Sequence, residues 1–161
     1  MIVPCREIMP VIRAALERGQ HIRLTVTGSS MTPFIHDGDV VELEPIRAIP
    51  RKGDVVLAQC TEERYVLHRV VRKAGDTLFL SGDAQQQWEG PFTLPDILGK
   101  AIVSYRNGSP RVIDCGQWHL AGVIWTRSGR LGFWLLWLAG RMRAKGREML
   151  RRLQQAPIFR A

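Results

Sequence analysis

The chain has 161 residues, of which 45% are hydrophobic and 24% are charged, and its formal net charge is +8. This length suffices for one domain with a hydrophobic core and is too short for two ordinary domains. Cys5, Cys60 and Cys115 are odd in number and widely spaced, which argues against a disulfide framework or a CxxC metal site and favours free thiols in a reducing compartment.

The first 20 residues predict an N-terminal helix. Apolar side chains recur there at helical spacing, at Ile8, Ile12, Ala15 and Leu16, and Gly19 supplies a stop signal. No long apolar run follows Met1, so the sequence predicts neither a secretory signal nor an N-terminal transmembrane anchor. We therefore expect the protein in the cytoplasm.

Residues 21–114 predict a mainly β domain. Short apolar segments alternate with Gly-containing turns at close intervals, which is typical of a barrel or a strongly coiled sheet. The predicted strands cover residues 21–27, 40–43, 55–58, 65–71, 78–80, 100–105 and 111–113. The first of them alternates between apolar and polar residues, as expected of a half-buried strand. We therefore predict a coiled β-sheet or partly open barrel.

Residues 115–161 predict a C-terminal amphipathic helical tail. Its apolar run at residues 131–139 is too short to span a bilayer, which needs about 20 helical residues. Trp134 and Trp137, followed by Arg141 and Arg143, fit a helix in a membrane interface, with indoles near the headgroups and guanidinium groups near phosphate. The alternative is a helix that packs its aromatic face on the β domain.

The positive charge of the chain is concentrated in this tail. Residues 126–161 contain nine of the 23 Lys and Arg residues and one acidic residue, Glu148, so the preceding part holds 14 of each sign. This asymmetry predicts an anionic partner for the tail. We favour the inner face of a membrane. Nucleic acid is the less favoured partner because the tail lacks the aromatic platform of common RNA readers.

The turn at residues 28–33 carries the most informative motif, Gly-Ser-Ser-Met-Thr-Pro. Ser30 is a candidate nucleophile, and backbone amides near Gly28 and Ser29 are candidate donors to a substrate oxyanion. Gly28 allows the backbone to approach a substrate closely. Met31 is expected to pack beneath the turn or to line the substrate groove. The motif predicts a peptidase-like nucleophile turn.

A serine nucleophile needs a base, and His68 inside the predicted strand 65–71 is the first candidate. Asp83 follows it, so Ser, His and Asp occur in that order. The alternatives left open are His36 as the base and Asp76 or Asp96 as the acid, whereas His21 and His119 are predicted to be structural. Because no His/Cys cluster has metal-ligand spacing, no metal and no other cofactor is predicted.

Three ordered motifs in residues 26–105 resemble the signal peptidase and LexA-type serine peptidase superfamily. Residues 28–33 resemble its nucleophile box, residues 52–56 its glycine-aspartate strand, and His68 falls where its second catalytic residue is expected. Many members have Lys at that position. The resemblance is therefore nearest to the signal peptidases that use a Ser-His pair, without their N-terminal membrane anchor.

This resemblance implies a serine endopeptidase with a coiled β fold. Ser30 would be the nucleophile, His68 the general base, and Asp83 in the Gly82-Asp83 motif the acid that orients the imidazole. Its substrate would be a peptide or the leader of a precursor protein. The alternative is a catalytically inactive peptidase fold that binds peptides or a membrane surface.

Overall fold

The computed structural model describes residues 5–128. Two helices and eight strands make up this part of the chain. In chain order these are α1 (Cys5–Glu17), β1 (Ile22–Thr25), β2 (Val40–Pro45), β3 (Val55–Gln59), β4 (Tyr65–Ala74), β5 (Thr77–Ser81), β6 (Glu89–Phe92), β7 (Ile97–Arg106), β8 (Ser109–Val112) and α2 (Gly116–Ser128), with one 3-10 turn at Leu94–Asp96.

The eight strands form one antiparallel sheet that does not close. Its order is β1-β2-β7-β3-β4-β5-β6, and β8 pairs with the end of β7. Four of the strand pairs contain a register shift, and such irregularities bend a strand and increase its twist. The predicted fold class, a mainly β coiled sheet with helices at both ends, is therefore confirmed.

The central strand β3 separates two hydrophobic cores. Val55 and Leu57 belong to the first core, together with the buried side of α1, and Val56 and Ala58 belong to the second. All four side chains are buried. Because β3 is covered on both faces, its residues 55–58 are all apolar and do not alternate with polar residues.

Most predicted elements coincide with observed ones within a few residues. Strand β6 was not predicted, because Gly90 and Pro91 fill half of it and both residue types are rare in strands. Met9, Ile12 and Leu16 of α1 are buried, whereas Ile8, which was predicted on the same face, is 38% exposed.

Helix α2 packs against the sheet, although the sequence assigned this segment to the tail. A Cβ atom on Gly122 would overlap the guanidinium group of Arg69, and one on Gly53 would overlap Val123 and His119. Residues 116–125 thus form a helix that packs on the β domain. Trp134, Trp137, Arg141 and Arg143 lie outside the described residues, so the interfacial role of the tail stays a prediction. Within residues 5–128, no helix is long and apolar enough to cross a membrane.

The close contact of α2 with the sheet predicts that Gly122→Ala lowers stability. Alanine is the better helix former by about 1 kcal/mol, but the added methyl group meets a guanidinium that is held in place, and such overpacking costs about 1–3 kcal/mol. We expect a lower free energy of unfolding in urea.

The matched control is Leu120→Ala on the same helix, where the side chain is 58% exposed. Its effect should stay within about 0.5 kcal/mol. A Gly122→Ala protein more stable than the wild type would contradict the close packing of Gly122 against the Arg69 guanidinium.

Candidate active site

Ser30 and His68, 38 residues apart in sequence, meet in the structure. Ser30 begins a turn that follows β1, and His68 lies in the buried part of β4. The Oγ atom of Ser30 is 3.3 Å from Nε2 of His68. The structure therefore brings together the predicted nucleophile and the predicted base.

The other ring nitrogen of His68 contacts Glu89, the first residue of β6. Nδ1 lies 3.1 Å from Oε2 of Glu89. An ionised carboxylate only accepts hydrogen bonds, so Nδ1 carries the proton and Nε2 presents a lone pair to the Ser30 hydroxyl. Ser30, His68 and Glu89 thus form a continuous hydrogen-bonded chain in the arrangement of a catalytic triad.

The surroundings of His68 favour a neutral imidazole. Burial lowers its pKa below the ordinary value of 6.5, and the nearby negative charge of Glu89 opposes that shift only in part. The side chain is 4% exposed. His68 is therefore neutral near pH 7 and able to accept a proton from Ser30.

Glu89 also forms an ion pair with Arg64, which lies immediately before β4. The Arg64 side chain is 58% exposed, so the pair contributes little to stability and mainly orients the carboxylate. Cys60 Sγ lies 4.0 Å from Oε2 of Glu89, the oxygen that contacts His68, and burial raises the pKa of this thiol. Cys60 therefore stays protonated beside the site.

Asp83 does not occupy the predicted position beside the imidazole. Its two carboxylate oxygens each accept a hydrogen bond of 2.7 Å from Arg69, and the side chains of the pair are 1% and 3% exposed. Burial raises the pKa of Asp83, and pairing with Arg69 opposes the rise. The carboxylate that contacts Nδ1 of His68 is that of Glu89, so the predicted third member of the triad is corrected.

We expect Asp83→Asn to lower stability strongly. Loss of one partner leaves the Arg69 guanidinium buried without a counter-ion, which costs about 3–5 kcal/mol. Urea unfolding followed by tryptophan fluorescence measures the change. The control is Asp76→Asn, an exposed carboxylate in the β4–β5 turn, with an effect within about 0.5 kcal/mol. A stable Asp83→Asn protein would show that the ion pair is dispensable.

The loop that contains Asp83 holds the backbone of Ser30. The N–H of Ala84 donates a 2.8 Å hydrogen bond to the carbonyl oxygen of Ser30. A Cβ atom on Gly82 would lie 2.6 Å from that oxygen and 3.0 Å from Cβ of Ser30. The absence of a side chain at Gly82 is thus required for the loop to approach Ser30.

The remaining residues of the turn have distinct environments. The N–H of Gly28 donates to the carboxylate of Asp37 at 2.8 Å, so the predicted oxyanion role of this amide does not fit the structure. Gly28 instead supplies a positive φ of 95°. Ser29 is exposed beside Ser30. Met31 is 2% exposed in the first core, so it packs beneath the turn and does not line a groove.

The alternative base His36 and the alternative acid Asp96 have other partners. His36 is exposed and its Nε2 contacts the carbonyl oxygen of Pro33 at 3.1 Å. Asp96 accepts hydrogen bonds from the backbone and side chain of Thr93. Asp76 is exposed in a turn.

The two histidines that were predicted to be structural lie beside carboxylates. His21 contacts Glu42, and His119 lies 3.6 Å from Asp54. Among residues 5–128, no group of three or more His, Cys, Asp or Glu side chains is placed to hold a metal ion.

Sequence reasoning missed Glu89 because β6 was not recognised. The only signal available was composition: Glu89 is the sole acidic residue between Asp83 and Asp96. Nothing in that spacing distinguishes it from a surface carboxylate. Its position beside His68 arises from the pairing of β6 with β5, in which Glu89 lies opposite Leu80.

Comparison with known proteins gives one family. The model of the peptidase S24-like family matches residues 3–102, which is more than half of the chain and includes Ser30, His68 and Glu89. No curated protein matches the chain closely enough to count as a relative. The chain belongs to the peptidase S24-like family.

Proposed function

We propose that this protein is a serine endopeptidase in which Ser30 is the nucleophile, His68 the general base and acid, and Glu89 the carboxylate that orients the imidazole. The observation that carries the proposal is the chain of hydrogen bonds from Ser30 Oγ through His68 to Glu89. Membership in a peptidase family supports the same reaction class.

In the first half-reaction, Ser30 Oγ attacks the carbonyl carbon of the scissile peptide bond while Nε2 of His68 takes the hydroxyl proton. Glu89 stabilises the imidazolium that forms. The C–N bond then breaks as Nε2 returns the proton to the leaving amine, which leaves an acyl ester on Ser30. In the second half-reaction, Nε2 of His68 takes a proton from the attacking water. The ester C–O bond then breaks as Nε2 gives that proton to Ser30 Oγ, which releases the carboxylic acid product and restores the serine.

The tetrahedral intermediate needs hydrogen-bond donors for its oxyanion. Within the described part of the chain, no hydrogen bond engages the N–H groups of Ser29 and Ser30. Both belong to the nucleophile turn. We assign the oxyanion contacts to these two amides, since the amide of Gly28 is held by Asp37.

We infer an extended peptide as the substrate. Strand β1 leads directly to the nucleophile turn, and among the described strands it pairs with β2 alone. A peptide that added to the outer edge of β1 would form main-chain hydrogen bonds beside Ser30. Because His68 stands where many members of the superfamily have a Lys base, we infer that the Ser-His signal peptidases are the nearest subgroup. We therefore propose the leader of a precursor protein as the substrate.

A fluorophosphonate probe tests the nucleophile. We expect intact-mass measurement to show one adduct on the wild type and none on Ser30→Ala, because the reagent reacts with an activated serine. His68→Ala should react about 10²–10⁴-fold more slowly, since the general base is lost.

His36→Ala is the matched control, and it should react at the wild-type rate because His36 does not contact Ser30. An unlabelled wild type would contradict the proposal and favour the alternative, a non-catalytic module that binds peptides.

The pH dependence of labelling tests Glu89. Its charge raises the pKa of His68, so Glu89→Gln should lower that pKa further and move the acid limb of the rate to lower pH. The labelling rate on the pH-independent plateau should fall about 10²–10⁴-fold. A glutamine amide can donate a hydrogen bond to Nδ1, which favours the tautomer with the proton on Nε2. Glu62→Gln, at an exposed position before β4, is the control. An unshifted acid limb would exclude Glu89 as the partner of His68.

A further inference from the structure

One indole N–H of α2 is joined to the backbone of the nucleophile through a single peptide group. Nε1 of Trp125 donates a 2.6 Å hydrogen bond to the carbonyl oxygen of Asp83. The N–H of that same peptide, on Ala84, donates to the carbonyl oxygen of Ser30 at 2.8 Å. The path from Trp125 to Ser30 thus contains two hydrogen bonds and one peptide plane.

The rigidity of a peptide group makes this path effective. The C=O and N–H of one peptide lie in a common plane, so a donor that fixes the carbonyl of Asp83 also fixes the direction of the Ala84 N–H. Hydrogen bonds in such a chain polarise one another. The orientation of this peptide is therefore set at both ends.

The indole is itself held in place. Its ring contacts the ring of Phe34 edge to face, with 6.0 Å between centroids, and the guanidinium of Arg69 lies 5.0 Å from the centroid of Phe34. Arg69 in turn binds the Asp83 carboxylate. The Asp83 residue is thus fixed through both its side chain and its carbonyl group.

We propose that Trp125 is a positioning residue for Ser30, which acts by fixing the peptide between Asp83 and Ala84. This inference rests on the proposed function, since it assigns a role in the acylation of Ser30. Trp125 lies outside residues 3–102, the region that matches the family. A residue of α2 therefore completes a site that is otherwise built within the matched region.

The contact predicts a specific kinetic effect. Without the indole N–H, the Asp83 carbonyl loses its donor, the peptide gains freedom, and Ser30 is held less firmly toward the substrate carbonyl. The rate constant of acylation should fall, while affinity for a small probe should not. The acid limb of the pH profile should not move, because Glu89 and the burial of His68 set its pKa.

The test is Trp125→Phe, which keeps an aromatic ring against Phe34 and removes the N–H. The readouts are the maximal rate of fluorophosphonate labelling, the final fraction labelled, the pH profile, and hydrogen exchange of the Ala84 amide by NMR. We expect the maximal rate to fall about three- to tenfold, with exchange at Ala84 faster by a similar factor. The final fraction of protein labelled distinguishes a slow reaction, which still goes to completion, from partial unfolding, which leaves some protein unlabelled.

The control is Ile124→Ala, at an exposed neighbouring position on α2, which should change neither the rate nor the exchange. A wild-type rate in Trp125→Phe, or a slower rate without faster exchange at Ala84, would overturn the positioning role and leave the proposed function intact. An unlabelled wild type would overturn both.

Discussion

The buried ion pair between Arg69 and Asp83 is the contact on which the rest of the structure depends. Two charges with side chains 3% and 1% exposed are tolerated only if nearly every donor and acceptor has a partner. Arg69 makes two hydrogen bonds to the Asp83 carboxylate and a third, of 2.8 Å, to the carbonyl oxygen of Gly53. Three separate segments, before β3, on β4 and after β5, are thereby fixed to one another.

This ion pair gives the two carboxylates near His68 different roles. Asp83 is enclosed and paired with Arg69, whereas the Glu89 side chain is 22% exposed and contacts both His68 and Arg64. A carboxylate that already forms two hydrogen bonds to a guanidinium has little capacity left to orient an imidazole. The carboxylate that pairs with Arg69 is thus enclosed within the domain, and the carboxylate that contacts His68 is partly exposed.

Helix α2 and the nucleophile turn are held by the same group of residues. Gly122 lies against the Arg69 guanidinium, Trp125 binds the Asp83 carbonyl, and the next amide binds Ser30. The close approach at Gly122 leaves no space for a side chain. Packing and hydrogen bonds therefore connect α2 to the backbone of Ser30.

The sequence by itself determined the β-rich fold and identified Ser30 and His68 as candidate site residues, but only the tertiary structure showed that these two side chains meet. Periodicity and turn residues are local, and the order of motifs carried the family resemblance. Only the tertiary structure decided that Glu89 and not Asp83 contacts His68, and that Trp125 reaches the Asp83 carbonyl. These contacts join residues 21 and 42 positions apart. They depend on how strands pair and helices pack, and local sequence patterns do not encode such distant neighbours.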